Sequence, residues 1–292
     1  MSIKLLTDST TSIPKSYLDE NGIALLELLI EIDGELKKEI SDVNIDQFIE
    51  QIDNEEKPYT TSMSSPQHVI ETFNSIIEEG YSTILYPYMT SQTSSQINAV
   101  NIAKKRINGK LDIKYYNTQL AGPAVAPFIL YGDKMLKEEL SIEEITTVFD
   151  RLKEQIYTLG FSENFNALFR TGKVKKNLKM QVVSNMLNIK PLFQICVGKG
   201  VEGFGGGMGF NGAVKKIKEK IINDTDKNTI YNLILTHSHA EKNLKVLENE
   251  IKNIRNIRKV NYFTIPPVIV NTVGKGAIIA TLYPIYETFV KK

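Results

Sequence analysis

The stretch TILYPYMTSQTSSQINAVNIAKKRINGKLDIKYYN, from Thr83 to Asn117, decides the fold class. Thr83 to Tyr88 is an apolar run of strand length, Ser95 to Arg106 has helical spacing, and Asp112 to Asn117 reads as a second strand. The same rhythm continues outward. Ile3 to Leu6 reads as a strand, followed by the turn-rich Asp8-Ser9-Thr10-Thr11-Ser12. Pro14 opens a short helix, where its missing N–H costs nothing. Leu25 to Ile32 is an apolar run closed by the turn signal Asp33-Gly34. Ile45 to Ile52 and His68 to Glu78 show helical spacing, and Ala121 to Leu136 reads as a long apolar helix. This alternation predicts a mostly parallel sheet covered by helices.

Ile142 to Tyr157 reads as a linking amphipathic helix. Beyond Gly160 the texture changes: strand-like runs at Leu192–Val197, Ile230–Thr236 and Lys259–Ile265 are separated by helical stretches. The expected architecture is two α/β domains, residues 1–160 with the parallel sheet and residues 161–292 as a smaller mixed α/β domain. A length of 292 residues suits that division.

Composition narrows the function classes. A hydrophobic fraction of 42% provides for a sizeable core and for a buried ligand as well. Thirty-five basic residues against 34 acidic ones leave no basic excess of the kind a nucleic-acid binder carries. The basic run Lys252 to Lys259 is interleaved with Ile254 and Ile257 and reads as a solvated helix face. The single cysteine, Cys196, excludes an internal disulfide framework, fits a reducing compartment and reads as a small buried hydrophobe. The opening residues are too polar for a signal peptide, and no segment is long enough to span a bilayer, so the expected location is cytoplasmic.

Three hydroxyl-rich loops accompany the elements of the first domain: Asp8–Ser12, Tyr59-Thr60-Thr61-Ser62-Met63-Ser64-Ser65-Pro66, and Met89-Thr90-Ser91-Gln92-Thr93-Ser94-Ser95-Gln96. Ser and Thr favour helix caps and turns, so each loop alone is explained by local structure. Three on one edge of a parallel sheet point instead to a polar ligand at the carboxyl ends of the strands. Helix N-termini there favour anions, and hydroxyls add donors without charge.

These loops resemble, in order and separation, the signature set of the DegV family. Asp8-Ser9-Thr10-Thr11 resembles its opening Asp-Ser-Thr/Ser motif, and Thr61-Ser62-Met63-Ser64-Ser65-Pro66 its Thr-Ser-Gln-Pro-Ser loop. Thr90 to Gln96 resembles Ser-Ser-x-Leu-Ser-Gly-Thr, with Ser94 on the inner serine. Leu168-Phe169-Arg170-Thr171-Gly172-Lys173-Val174 is similar to the family's basic glycine turn, and Leu187-Asn188-Ile189-Lys190-Pro191 reproduces its Leu-x-Ile-Lys-Pro string. The likeness runs from about residue 3 to about residue 282.

The resemblance implies a non-catalytic carrier that encloses one long-chain fatty acid between the two domains. The second domain then supplies a lipid tunnel and a lid. Thr61, Ser62 and Ser94 would donate to the carboxylate, with Thr272 beside them where the family has histidine. Such bonds are charge-assisted and avoid a buried ion pair. A C16 tail would contribute on the order of 10 kcal/mol before ordering costs. The resemblance also implies a monomer with no cofactor beyond the bound acid, and presentation of that acid to a separate fatty acid kinase. Peripheral membrane contact for lipid exchange is compatible with it. Arg170 and Lys173 are the residues expected to face a kinase. This chain departs from the family there: Thr272 replaces the histidine, and Gly205-Gly206-Gly207-Met208-Gly209-Phe210 lacks an arginine. Asn117-Thr118 also stands where an Asp-Ser pair is common. Parts of Ala124–Leu136 and Met180–Leu187 are expected to wall the tunnel.

Other chemistries are weaker. No Gly-x-Ser-x-Gly elbow is present, and His68, His237 and His239 are the only candidate histidine bases. His237-Ser238-His239 could start a metal set, but only Glu241 lies near to complete it. Gly207-Met208-Gly209-Phe210-Asn211-Gly212 spells Gly-x-Gly-x-x-Gly without the strand that a dinucleotide fingerprint requires. It reads as a flexible hairpin or lid before a helix at Ala213–Ile222. The alternative of another class is a small-molecule enzyme, or a binder of a phosphate-type anion, on the same scaffold.

Overall fold

The structure is a computed structural model that describes residues 2–52, 58–163, 171 and 188–289. The first half is built on a parallel four-stranded sheet of order β2-β1-β6-β7, with β1 Ile3–Asp8, β2 Ala24–Leu26, β6 Thr83–Tyr88 and β7 Asp112–Asn117. Alternate side chains along these strands face opposite sides. Leu6, Ile84 and Tyr86 pack with α3 (Pro66–Glu78) and α4 (Gln96–Arg106), while Leu5 and Leu85 pack with α5 (Ala126–Lys137) and α6 (Ile142–Lys153). Ser65 starts α3 by accepting the His68 N–H at 3.1 Å, and Pro66 occupies its first turn. Val69, Phe73 and Ile76 then bury one stripe, each contributing roughly 1.5–3 kcal/mol.

The run Leu25–Ile32 divides. Its first part pairs in the parallel sheet, and β3 (Leu29–Ile32) turns through Asp33 and Gly34, both at positive φ, into β4 (Glu35–Lys38). β5 (Thr61–Ser62) joins the other side of β3. This small sheet and α2 (Ile45–Gln51) lie against the second half of the chain.

The second half carries the larger sheet, of order β10-β9-β8-β13-β11-β12. Its strands are β8 Tyr157–Phe161, β9 Ile189–Cys196, β10 Gly200–Met208, β11 Ile230–His237, β12 Asn256–Thr264 and β13 Ile278–Pro284. β8 spans the expected division at residue 160. Around the sheet run α7 (Gly209–Asp224), α8 (Glu241–Lys252) and α9 (Pro267–Val273). The fold is therefore mixed α/β with a two-domain layout. Among the described residues no helix is long and apolar enough to cross a membrane.

Five readings change. The helix expected at Ala121 opens as a 3-10 turn, Gly122–Val125, before α5, and the helix expected to reach Tyr157 stops at Lys153. There Tyr157 leaves to pair with Leu282. The glycine-rich segment is not a loop but a hairpin strand, with β10 paired to β9 from Gly200 to Met208. Gly207 is required by close packing: a Cβ there would lie 2.2 Å from the Ala213 backbone nitrogen. The basic run is no helix face. Lys252 ends α8, and Arg255 is buried at 7% exposure with its guanidinium on the carbonyls of Ile221, Ile222 and Thr225. Ile221 also accepts the Thr225 N–H, while the other two lie past the last helical bond of α7, where a cation satisfies them. Cys196 is half-buried rather than buried, and burial pushes its thiol up.

Candidate functional site

β1 connects to one side of the parallel sheet and β6 to the other, so the loops after them flank a topological switch point, where open α/β sheets bind ligands. A cleft of about 890 Å³, counted out to its mouth, opens there. Thr10 from the first loop, Thr61 and Ser62 from β5, Thr93, Ser94 and Ser95 from the β6–α4 loop, and Thr272 from α9 line it. All four expected head-group residues, Thr61, Ser62, Ser94 and Thr272, thus face one space. Arg170 and Lys173, expected to face a kinase, lie outside the described residues, as do Met180–Leu187.

The three loops are held differently. In the first, the hydroxyls are mostly consumed by the turn. Asp8 accepts the backbone N–H of Thr10 at 3.0 Å and its hydroxyl as well, and Thr11 Oγ1 donates to the Asp8 carbonyl at 3.1 Å. Burial pushes the Asp8 carboxyl above its ordinary value, against the pull of the Thr10 bonds. Ser9 donates to Glu39 and accepts the Leu28 N–H. Here the local-structure reading holds for Asp8 and Thr11, while Ser9 bonds across to Glu39 and Leu28 and Thr10 also reaches the cleft.

The second and third loops are tied together by Gln96, the first residue of α4 and 1% exposed. Its amide oxygen accepts the Ser64 N–H at 2.9 Å, and its amide nitrogen donates to Ser64 Oγ at 2.8 Å. Ser64 in turn donates to the Glu27 carbonyl at 2.6 Å. This chain of bonds fixes Thr61 and Ser62 beside the N-terminus of α4. Ser94 Oγ accepts the Gln96 N–H at 3.2 Å, which leaves its proton to donate. Among the described residues the Ser62 side chain makes no hydrogen bond. Thr272 is 8% exposed, and Thr171 Oγ1 lies 3.5 Å from its hydroxyl.

The remaining walls are apolar: Leu28, Met63, Met89, Ala121 and Pro123 on one side, and Phe193, Ile195, Val201, Val268, Ile269, Val273 and Ile279 on the other. Sequence reading missed most of these. Phe193 and Ile195 stand on one face of β9 with Leu192 on the other, and Ile279 likewise alternates with Ile278 and Ala280 in β13. The alternation was legible, but not which face meets the ligand. Ala124–Leu136 does not line this cleft, because the turn at Gly122–Val125 sends α5 beneath the parallel sheet, where Phe128 and Ile129 pack. A space of this kind, with hydroxyl donors grouped at a helix N-terminus and aliphatic walls beyond, suits a molecule with an anionic head and an apolar body.

The histidines play other parts. His68 sits in the first turn of α3, with its Nε2 buried and unpartnered among the described residues, and burial lowers its basicity. His239 pairs with Asp46 at 2.9 Å and Glu50 at 2.9 Å on α2, away from His237. No group of three His, Cys, Asp or Glu among the described residues is placed to hold a metal.

A family model described as "Uncharacterised protein, DegV family" matches residues 2–284. A DegV domain-containing protein of Listeria innocua is 25% identical over 190 residues, 65% of this chain and 66% of that relative. One from Staphylococcus aureus is 24% identical over 277 residues, 94% of this chain and 96% of the relative. The solved structure of a DegV family protein from Thermus thermophilus, described for its fatty acid binding, superposes with a TM-score of 0.85 at 20% identity. That match covers 98% of this chain and all of the other.

Proposed function

The chain belongs to the DegV family, and from that premise we propose that it binds one long-chain fatty acid in the cleft between its two sheets. Thr61, Ser62, Ser94 and Thr272 hold the carboxylate, and the apolar walls hold the tail. The observation that carries the reading is the convergence of these four side chains, from three separate elements, on one otherwise largely apolar cleft. The fatty acid binding described for the Thermus thermophilus protein of the same fold supports it.

The physics divides the labour. Each buried methylene contributes about 0.8 kcal/mol, so affinity comes from the tail. Hydroxyls donating to an ionised carboxylate set the orientation of the head. On this reading the protein acts as a carrier. The finer form of the reading has the bound acid presented to a separate fatty acid kinase, with Arg170 and Lys173 toward it.

Native mass spectrometry of the protein purified from a bacterial host tests the proposal. The expected result is one fatty acid of C14–C18 length per chain, released on denaturation. A chain that carries no lipid and takes up none, or that carries a phosphate-type anion, overturns it. Phosphorylation of the bound acid by a kinase of that class tests the presentation step separately.

A further inference from the structure

The proposed head-group hydroxyls stand on three elements, and something must set the distance between them. The seam between α2 with its small sheet and α9 is largely apolar: Phe48, Ile49 and Ile52 pack with Val268, Val270 and Val273. Such contact is non-directional, so it resists separation but not sliding.

Glu39 bonds the start of α9 and Glu50 bonds Lys275 beyond its end, and Asn271 adds direction beside the head-group residues themselves. It is 1% exposed, its Oδ1 accepts the Tyr59 N–H at 3.0 Å, and its Nδ2 donates to the Tyr59 carbonyl at 2.8 Å. An amide offers an acceptor and a donor side by side on one planar group, and two bonds to the N–H and C=O of one residue fix both distance and rotation. Tyr59 stands two residues before Thr61, and Asn271 stands immediately before Thr272. Asn271 does not line the cleft itself.

We propose that Asn271 is a positioning residue for the carboxylate, holding Thr61 and Ser62 at their working distance from Thr272. The inference rests on the fatty-acid reading of the cleft. It assigns to a side chain that never meets the ligand the task of assembling a site from two halves of the chain.

Palmitate titration of the full chain, stripped of lipid, tests it with three variants: Asn271→Leu, Ser62→Ala and the double. Asn271→Leu keeps the volume and loses both bonds, and is expected to weaken palmitate binding by about tenfold or more. If Asn271 acts through the hydroxyls, the losses are not additive, and the double variant lies within about twofold of the weaker single. Full additivity, or unchanged affinity in Asn271→Leu, overturns the inference. Should Asn271→Leu not fold, Asn271→Asp keeps the size and the acceptor but not the donor, and is read by the same cycle. Failure of the unaltered chain to bind palmitate shows up before any variant is made. It sinks the fatty-acid reading, and this inference with it.

Discussion

The carboxylate of Glu39 accepts a hydrogen bond from the backbone N–H of Val268 at 2.7 Å, across 229 positions of the chain. Its other oxygen takes the hydroxyl proton of Ser9, and its side chain is fully buried. One group therefore joins the loop after β1, the end of the small sheet and the start of α9, which carries Thr272. Burial pushes Glu39 up to about 7, the charges of Asp8 and Glu27 add to it, and the bonds from Ser9 and Val268 oppose it.

That value makes stability depend on pH in a defined direction. The folded carboxyl binds its proton more tightly than the unfolded one, whose ordinary value is 4.5. Its contribution is complete below the unfolded value and is lost as pH rises through about 7. Glu39→Gln abolishes the titration. Between about pH 5 and pH 8 the unaltered protein should lose roughly 2 to 3 kcal/mol relative to the variant, read from urea midpoints. Parallel pH curves would show that this carboxyl does not titrate on unfolding.

How much of this was legible in the sequence depended on the kind of signal. Thr83–Asn117 announced a strand, a helix and a strand because each element buries one stripe or face, and that periodicity is written in residue order. Thr61, Ser62 and Ser94 could be named because the three loops matched an ordered motif set. The cleft walls could not be, because β13 is buried on both faces and the apolar residues of β9, Leu192 against Phe193 and Ile195, also point both ways. β10 looked like a loop because glycines are poor strand formers, and its pairing with β9 is a tertiary fact. Nothing in the sequence marks Asn271 or Glu39, whose bonds to Tyr59 and Val268 span more than two hundred residues.

Ser94→Ala tests the head-group assignment directly. The alanine keeps the loop's path but removes a donor to an ionised group, and the expected loss of palmitate affinity is roughly 1–3 kcal/mol. Thr11→Val is the contrasting control, since Thr11 bonds within its own turn and does not line the cleft. Equal losses of palmitate affinity in both would mean that the loops respond as scaffolding and that Ser94 has no special place.

His239 makes a second pH-dependent contact. Burial works against its charged form, but the bonds to Asp46 and Glu50 outweigh this and raise its basicity. A histidine raised in the folded state stabilises it fully below the unfolded value of 6.5, and that contribution fades as pH rises through the folded value. The carboxylates are exposed, so screening limits the effect to under about 1 kcal/mol. His239→Asn should therefore cost more stability at about pH 6 than at about pH 8.5, measured by thermal unfolding. A cost independent of pH would mean that the ring serves through packing alone.

The buried Arg255 guanidinium makes five hydrogen bonds at the end of α7. Its Nη2 donates to Ile221 at 2.8 Å, Ile222 at 3.0 Å and Thr225 at 2.8 Å, Nη1 to Ile254 at 2.6 Å, and Nε to Thr225 Oγ1 at 2.7 Å. Ile221 also accepts the Thr225 N–H, while the carbonyls of Ile222 and Thr225 lie beyond the last helical bond of α7. Arg255→Met keeps the aliphatic stem and leaves those acceptors unpaired, for an expected cost of roughly 3 kcal/mol. Arg255→Lys should recover only part of this, because an ammonium cannot present the planar fork. Urea unfolding at constant slope gives the magnitude, and faster amide exchange confined to the end of α7 gives the place. Equal stability of Arg255→Lys and the unaltered protein would mean that positive charge at the helix end, rather than the forked geometry, is what the fold requires.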